Sequence, residues 1–525
     1  MSRTTLDRSL VHGLAWTGAT KWATQLVTWA ASLLVVRWLA PSAYGLVGMA
    51  LVFIGFMQLV NEFGLGAAVV RQRDLTEQQI AQVGGLALLV GCALCALSAG
   101  VAGWIAVFFN SPPVRAIVLA FGLQFPIGAL QVLPRSLLQR DLTFRRVALT
   151  DGVEPVVTAG VTLTLAALGY GYWALVFGPL AGRVVSTTLF WSWRPHRIAW
   201  PGRIGTIAGA VTFGWQIVVA RVAWYAYSNA DFAVVGRVLG NTALGVYTIG
   251  WTIGSIPVER ISSLLAGVAP GVLSAVQHDQ AALRRYMARI TEGLSLITFP
   301  AAVGIALVAD LFVDVVLGSQ WHPAIWPLRI LALSAALRSI SALPSQIAIA
   351  TGHSKRNMQL SLMASLMLPG LFYLATRWGP AGVATVWLLG HPLLVMPWFL
   401  GYALHLTGMR VSEYARALGP ATGATAVMAL AVLAVRALTP PESTGAALQL
   451  ALAVATGSVV YGAIVYMRYR DRVRGLWRLL RPGRDGASSV QHAESRQGLD
   501  EEGGRIAPAP DLLPLSLRGA TEEAP

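Results

Sequence analysis

Residues 35–45 read VVRWLAPSAYG, and residues 235–245 read VGRVLGNTALG. At an offset of 200, Val35, Arg37, Leu39, Ala43 and Gly45 fall on Val235, Arg237, Leu239, Ala243 and Gly245, and Lys21 falls on Arg221. Each copy reads as a helix end, a tight turn and a new helix, with Pro41 and Ser42 supplying the turn in one and Gly240, Asn241 and Thr242 in the other. At an offset of 210, Leu133-Pro134 meets Leu343-Pro344, Arg145-Arg146 meets Lys355-Arg356, and Gly169, Ala174 and Val176 meet Gly379, Ala384 and Val386. The chain is an internal duplication, and the extra residues fall in two longer connections expected at 266–287 and 310–325.

Hydrophobic residues make up 55% of the 525 and charged residues 12%, and mean hydropathy is +0.61. That balance belongs to membrane proteins. A helix needs roughly 20 apolar residues to cross the hydrocarbon, and fourteen stretches qualify: 14–36, 44–66, 83–109, 113–133, 147–168, 170–191, 207–236, 243–265, 288–309, 326–349, 358–376, 380–404, 418–437 and 446–467. The first reads as a retained span rather than a cleaved leader, being long and carrying Lys21 inside it. The expected fold is an all-α polytopic membrane protein of about fourteen helices. Six spans per repeat give both copies the same orientation, so the lobes are related by a parallel pseudo-twofold. The expected divisions are an N-lobe at 1–206, a C-lobe at 207–417, two additional helices within 418–467, and a basic then acidic tail at 468–525.

Positive charge marks the cytoplasmic side. With the N-terminus inside, the inner segments carry 25 Lys and Arg residues and the outer segments 5, Arg37, Arg115, Arg237, Arg377 and Arg436. Both termini are therefore expected on the cytoplasmic side of the membrane. The net charge of +15 lies in short connections and has no aromatic-studded soluble domain to present it, so anionic lipid explains it better than nucleic acid. Residues 485–525, rich in acidic residues, Gly, Pro and Ser, read as a disordered tail. Cys92 and Cys95 sit in an apolar run with no second pair, which suits packing rather than redox chemistry. No metal-ligand cluster or nucleotide loop appears, and no cofactor is expected.

Charges inside spans are costly and tend to face a partner or a watery cavity. Lys21 and Arg221 occupy equivalent places on the first helix of each repeat. If they face each other across the axis, an anion between them relieves their repulsion; otherwise each pairs with a carboxylate. Arg37 and Arg237 read as interfacial anchors or contacts at the outer mouth of a cavity. Asp151 and Glu154 share a helical face, where they either exchange protons or bridge to Arg145 and Arg146. Asp231 is a candidate proton or cation site, or an internal partner; Glu62 and Arg183 are further cavity candidates. The candidate substrate-binding set is Lys21, Arg221, Arg37, Arg237 and Arg183, and the candidate ion-coupling set is Asp231, Glu62, Asp151 and Glu154.

LAPSAYGLVGMA (39–50), NEFGLGAAVVRQRDLTEQQ (61–79), LLQRDLTFRRVAL (137–149), GYGYWALVFG (169–178), SNADFAVVGRVLGNTALGVY (228–247) and LGSQWHPAIWPLRILAL (317–333) together resemble the bacterial polysaccharide exporters of the oligosaccharide flippase type. These Wzx-like proteins share a superfamily with multidrug extruders and lipid II flippases. The resemblance, over about residues 10–405, implies two six-helix lobes in a V around a central cavity. It implies movement of an undecaprenyl-diphosphate-linked oligosaccharide between leaflets by alternating access, with a polysaccharide polymerase as a further partner. Export of a drug or another lipid is the alternative within the superfamily, and a polytopic glycosyltransferase or polymerase the alternative outside it.

Overall fold

Apolar length sets the helices, and glycine or a polar cap ends them. In the computed structural model, which describes residues 24, 25, 27–61, 66, 69, 70, 75–200, 208–440 and 444–480, and the side chains of all of these but 60, 61, 208–224, 227, 256, 257, 261–272 and 471–480, the elements are helical throughout. Helix α1 covers Val27–Trp38, α2 Pro41–Asn61, α3 Glu77–Phe108, α4 Pro113–Arg140 with a break at Leu123, α5 Phe144–Ala167 and α6 Tyr172–Trp193. The second repeat holds α7 at 208–239 and α8 at 241–275, parted at Gly240, then α9 Gln280–Phe312, α10 Ile325–Ala350, α11 Ser354–Ala375 and α12 at 379–407. Helices α13, Val411–Leu438, and α14, Ala446–Leu480, follow.

Among the described residues no strand occurs, and ten segments are long and apolar enough to cross a membrane. One of them, Ser354–Thr407, is two legs: Phe372 on α11 lies 5.5 Å from Trp387 on α12, ring to ring, so the chain doubles back between them. That reversal is Gly379 (φ 69), and its repeat partner Gly169 (φ 83) makes the equivalent turn between α5 and α6. Positive φ at both positions explains why glycine stands at each.

Two expected loops are largely helix. Helix α8 runs on to Ala275, and α9 starts at Gln280, where the Asp279 side chain accepts from the Ala282 N–H at 2.9 Å. The stretch QAALRRYMAR is polar overall, yet it is amphipathic: Leu283 and Met287 are buried against Leu343, Ile347 and Ala403. The connection expected at 310–325 continues α9 to Phe312, passes through a π turn at Val313–Leu317 and a 3-10 turn at Ser319–Ala324, and bends at Gly318 (φ 98). Trp321 inside it is fully buried.

The repeated phrase is where the two halves meet. A Cβ on Gly45 would stand 1.7 Å from the Asn241 carbonyl oxygen, and one on Gly245 would stand 1.8 Å from that of Pro41. Position 41 corresponds to 241 and 45 to 245, so this is one contact seen from both sides. Helices α2 and α8 cross there with their backbones touching. The flanking contacts repeat too. Arg37 Nη1 reaches the Val315 carbonyl just past α9 at 3.4 Å, while the Arg237 guanidinium lies 5.7 Å over Phe108 at the end of α3. Trp321 Nε1 donates to the Val36 carbonyl at 2.9 Å, while the ring of Phe109 presses on Gly236, the position equivalent to Val36.

The last two helices dock on α9. Asp310 is held by Arg329 of α10 at 2.8 Å and by Arg436 of α13 at 2.5 Å, and Arg436 also donates to the Leu307 carbonyl. On α14, Gln449 Nε2 donates to the Arg436 carbonyl at 3.1 Å, and the Tyr461 hydroxyl to that of Leu296 at 2.5 Å. Residues 481–525 lie outside the described residues, as does the reading of a disordered tail.

The crossing gives a matched test. Gly45→Ala and Gly245→Ala each force backbones apart, at a cost of about 1–3 kcal/mol or more, and the pseudo-symmetry makes their effects similar. Gly160→Ala, with nothing within 4 Å of the added carbon, leaves stability unchanged. Thermal unfolding of the three purified variants in detergent checks this; equal melting of all three contradicts the crossing.

Candidate functional site: a polar cavity among apolar helices

Helix α4 carries Gln124, Gly128, Gln131 and Arg135 at intervals of four, three and four residues, which places them on one face. That face lines a cavity of about 240 Å³, completed by Gln58 from α2 and Arg183 from α6. Gln131 is buried; its Oε1 accepts from Arg183 Nη1 at 3.1 Å, and its Nε2 donates to Ser186 Oγ at 3.4 Å. The Nε2 of Gln124 is buried with no hydrogen-bond partner.

Both arginines have carboxylate neighbours on α5. Arg135 Nη2 lies 3.0 Å from Asp151 Oδ2, and Arg183 Nε lies 3.6 Å from Glu154 Oε1. Close packing of α5 on α6 sets the second pair: a Cβ on Gly178 would lie 1.8 Å from Thr162 Oγ1, and one on Gly182 would lie 2.1 Å from Thr158 Oγ1. Of the two sequence-based alternatives for Asp151 and Glu154, a bridge to Arg145 or Arg146 is corrected here. Their partners come from α4 and α6, because Arg146 turns to the end of α6, where it donates to the Trp193 carbonyl at 3.4 Å and stacks over that ring.

In the other half, Asp231 of α7 is fully buried. Its carboxylate accepts from the Tyr247 hydroxyl at 2.6 Å, from Trp387 Nε1 at 2.7 Å and from the Phe232 N–H at 2.9 Å. Trp387 lies in the π stretch Val386–Val395, which contains Gly390 and Pro392; the missing proline N–H explains the local loss of α-helical bonding. Arg338 of α10 stacks 4.0 Å over Trp251 and 5.5 Å from Trp387, and donates to Ser255 Oγ at 2.6 Å. Every neighbour of the Asp231 carboxylate that the hydrogen bonds identify is a donor, which suits a charged or strongly polarised acceptor. Among the described residues no three His, Cys, Asp or Glu side chains gather as metal ligands would.

The candidates separate clearly. Arg183, Asp151 and Glu154 come together at the α4 cavity, and Asp231 sits apart in its own network. Arg37 and Arg237 go to the crossing of the two halves, each touching the opposite half. Lys21, Glu62 and the side chain of Arg221 lie outside the described residues. Sequence reasoning missed Gln58, Gln124 and Gln131, which are uncharged, and counted Arg135 as a loop cation. The stripe at 124, 128, 131 and 135 was the available signal.

The sequence profile of a family described as polysaccharide biosynthesis protein matches residues 34–326. The chain is 25% identical over 452 residues to the teichuronic acid biosynthesis protein TuaB of Bacillus subtilis, covering 82% of this chain and 89% of that protein. It is 22% identical over 303 residues to the lipopolysaccharide biosynthesis protein WzxC of Escherichia coli, covering 57% and 61%. Among solved structures, the lipid II flippase MurJ in an inward closed conformation superposes with a TM-score of 0.66 at 16% identity, over 87% of this chain and 100% of that one. That likeness establishes a shared fold.

For the Asp231 network, Tyr247→Phe removes one hydrogen bond to a buried acceptor and costs about 1.5–3 kcal/mol. Asp231→Asn costs more, since the amide turns its NH2 either toward both Tyr247 and Trp387, which share one carboxylate oxygen, or toward the Phe232 N–H on the other. Unfolding of both variants in detergent, with Tyr225→Phe at a half-buried hydroxyl as reference, measures the difference. An Asp231→Asn variant as stable as the wild type removes the network from the fold's supports.

Proposed function

The chain belongs to the polysaccharide biosynthesis protein family, and from that premise we propose that it moves a lipid-linked oligosaccharide across a membrane by alternating access, for the assembly of a surface polysaccharide. The α4 cavity carries the proposal. Amides and guanidinium groups inside a helical bundle whose outer surface is apolar are costly to insert, on the order of 2.5–3.5 kcal/mol for a central Arg. A pathway for polar cargo gives them a use, since a glycan and a diphosphate need their lost hydration replaced. The lipid tail can stay in hydrocarbon throughout.

We assign the chain no chemical step: the cargo changes side and keeps its bonds. Undecaprenyl diphosphate is the proposed carrier, with a polysaccharide polymerase taking the product. We propose that both termini face the cytoplasm from a bacterial inner membrane, with lobes at 1–206 and 207–417, added helices within 418–467 and the tail beyond. Lys21 and Arg221 are proposed to meet the diphosphate across the axis, and Arg183 to line the path. Arg37 and Arg237 are proposed to hold the outer end shut rather than to touch cargo. Glu62, Asp151 and Glu154 are proposed to offset cavity cations or to couple ions. Asp231 could couple an ion only in a state where Tyr247 and Trp387 release it.

The test uses proteoliposomes carrying an undecaprenyl-diphosphate oligosaccharide, following exposure of its sugar on the far leaflet. Protein-dependent exposure is expected, slowed about tenfold or more by Arg183→Gln. An oligosaccharide that stays in place but is lengthened or transferred when acceptors are added overturns the proposal in favour of an enzyme.

A further inference from the structure

The α4 cavity holds two arginines, yet its chemistry is poorly suited to a diphosphate. Arg135 and Arg183 already face the carboxylates of Asp151 and Glu154 at 3.0 and 3.6 Å. A second anion entering there meets those carboxylates as well as the cations, and the like-charge repulsion offsets much of its attraction. The other polar groups lining the space are the amides of Gln58, Gln124 and Gln131, each with a donor and an acceptor end. Hydroxyl groups have the same dual character. One of these amides has an open valence: Gln124 Nε2 is buried without a partner, an arrangement that is costly to leave unmet.

Resting on the flippase reading, we infer that the α4 cavity is a subsite for one neutral, hydroxyl-bearing sugar ring of the cargo, with the diphosphate bound elsewhere. Turned into the space by a flip of the amide, Gln124 Nε2 donates to a sugar hydroxyl and is no longer stranded, and Gln58 stands across the same space. Val132 adds an apolar patch to the lining, while Gly128 contributes no side chain to obstruct a ring. The volume of about 240 Å³ is close to the lower end of ligand cavities, roughly 300 Å³, which suits a monosaccharide rather than the whole repeat unit. Gln131 is fixed by Arg183 and Ser186, so it is a rigid acceptor and donor pair rather than a mobile one. In this arrangement Arg183 holds the Gln131 amide in position, and the two Arg–carboxylate pairs keep the pocket close to neutral, which discriminates against a charged ring.

The experiment titrates three probes against the purified full-length chain in nanodiscs: undecaprenyl diphosphate, undecaprenyl-diphosphate-glucose and undecaprenyl-diphosphate-glucuronate. The wild type is expected to bind the glucose lipid about tenfold tighter than the bare lipid, and the glucuronate lipid no tighter than the glucose lipid. Gln124→Leu, which replaces an unsatisfied amide with an apolar group of similar size, and Gln58→Leu bring the glucose lipid to within about twofold of the bare lipid. Their unchanged binding of the bare lipid reports a folded protein with its diphosphate site intact. The inference is overturned if the wild type shows no sugar preference, or if that preference survives both substitutions. It is also overturned if the glucuronate lipid binds tightest and loses that advantage in Arg183→Gln, which would make the cavity an anion subsite. Failure of the wild type to bind any of the three lipids counts against the flippase reading itself.

Discussion

Two backbones touch where α2 crosses α8, and the arrangement of the halves depends on that contact. Gly45 lies on the Asn241 carbonyl and Gly245 on that of Pro41, so neither position tolerates a Cβ without separating the helices. Because position 41 is the repeat of 241 and 45 of 245, the contact can lie only on the pseudo-twofold axis. A single requirement, close approach at the axis, therefore falls on both copies of the sequence and keeps both copies of the phrase alike. Arg37 and Arg237, Val36 and Gly236 are carried along with it, each meeting the end of the opposite half's third helix or its extension.

Away from the axis the halves have diverged. At the offset of 210, Gly128 corresponds to Arg338, Gln124 to Ser334, Gln131 to Ser341 and Arg135 to Ser345. Where α4 leaves a space beside Gly128, α10 fills the equivalent place with an arginine packed between Trp251 and Trp387. The first half thus keeps a cavity bounded by amides, and the second closes it with an aromatic and cationic network anchored on Asp231. A duplicated scaffold relaxes the demand on each copy, so one can specialise in holding a polar space and the other in rigidity.

Much of this was legible in the sequence, and what was not has physical causes. Spans two to fourteen each correspond to a helix, since lipid contact demands long apolar runs whatever the tertiary detail. The connection at 266–287 was misjudged because hydropathy cannot tell a loop from an amphipathic helix emerging past the hydrocarbon; the 3.6-residue spacing of Leu283, Met287 and Ile290 was the better guide. Of the two readings of Asp151 and Glu154, the ion-pair one looked to the nearest arginines in sequence, Arg145 and Arg146. In a bundle the closer groups come from neighbouring helices, and glycines such as Gly182 decide which ones. The glutamines escaped because searching for charge overlooks uncharged polar groups, although an amide in an apolar helix also needs a reason to be there.

The contacts joining the halves differ in kind from those that hold α13 and α14 to α9. The crossing rests on backbone approach, a cation over a ring, a long guanidinium–carbonyl hydrogen bond and neutral hydrogen bonds, whereas the clasp on α9 is a carboxylate shared by two arginines. Dispersion contributes only about 0.1–0.2 kcal/mol per atom pair, so it holds while the surfaces fit and falls away together when they part. A half-buried carboxylate between two guanidinium groups is costlier to break, because separation strands charge. A rocking motion of the halves is then most economical if it opens the crossing and leaves the clasp intact, with the added helices moving as part of the second half. Ligand coupling of about 1–3 kcal/mol is of the right size to part a crossing built from weak contacts, and too small to break a clasp built from half-buried ion pairs.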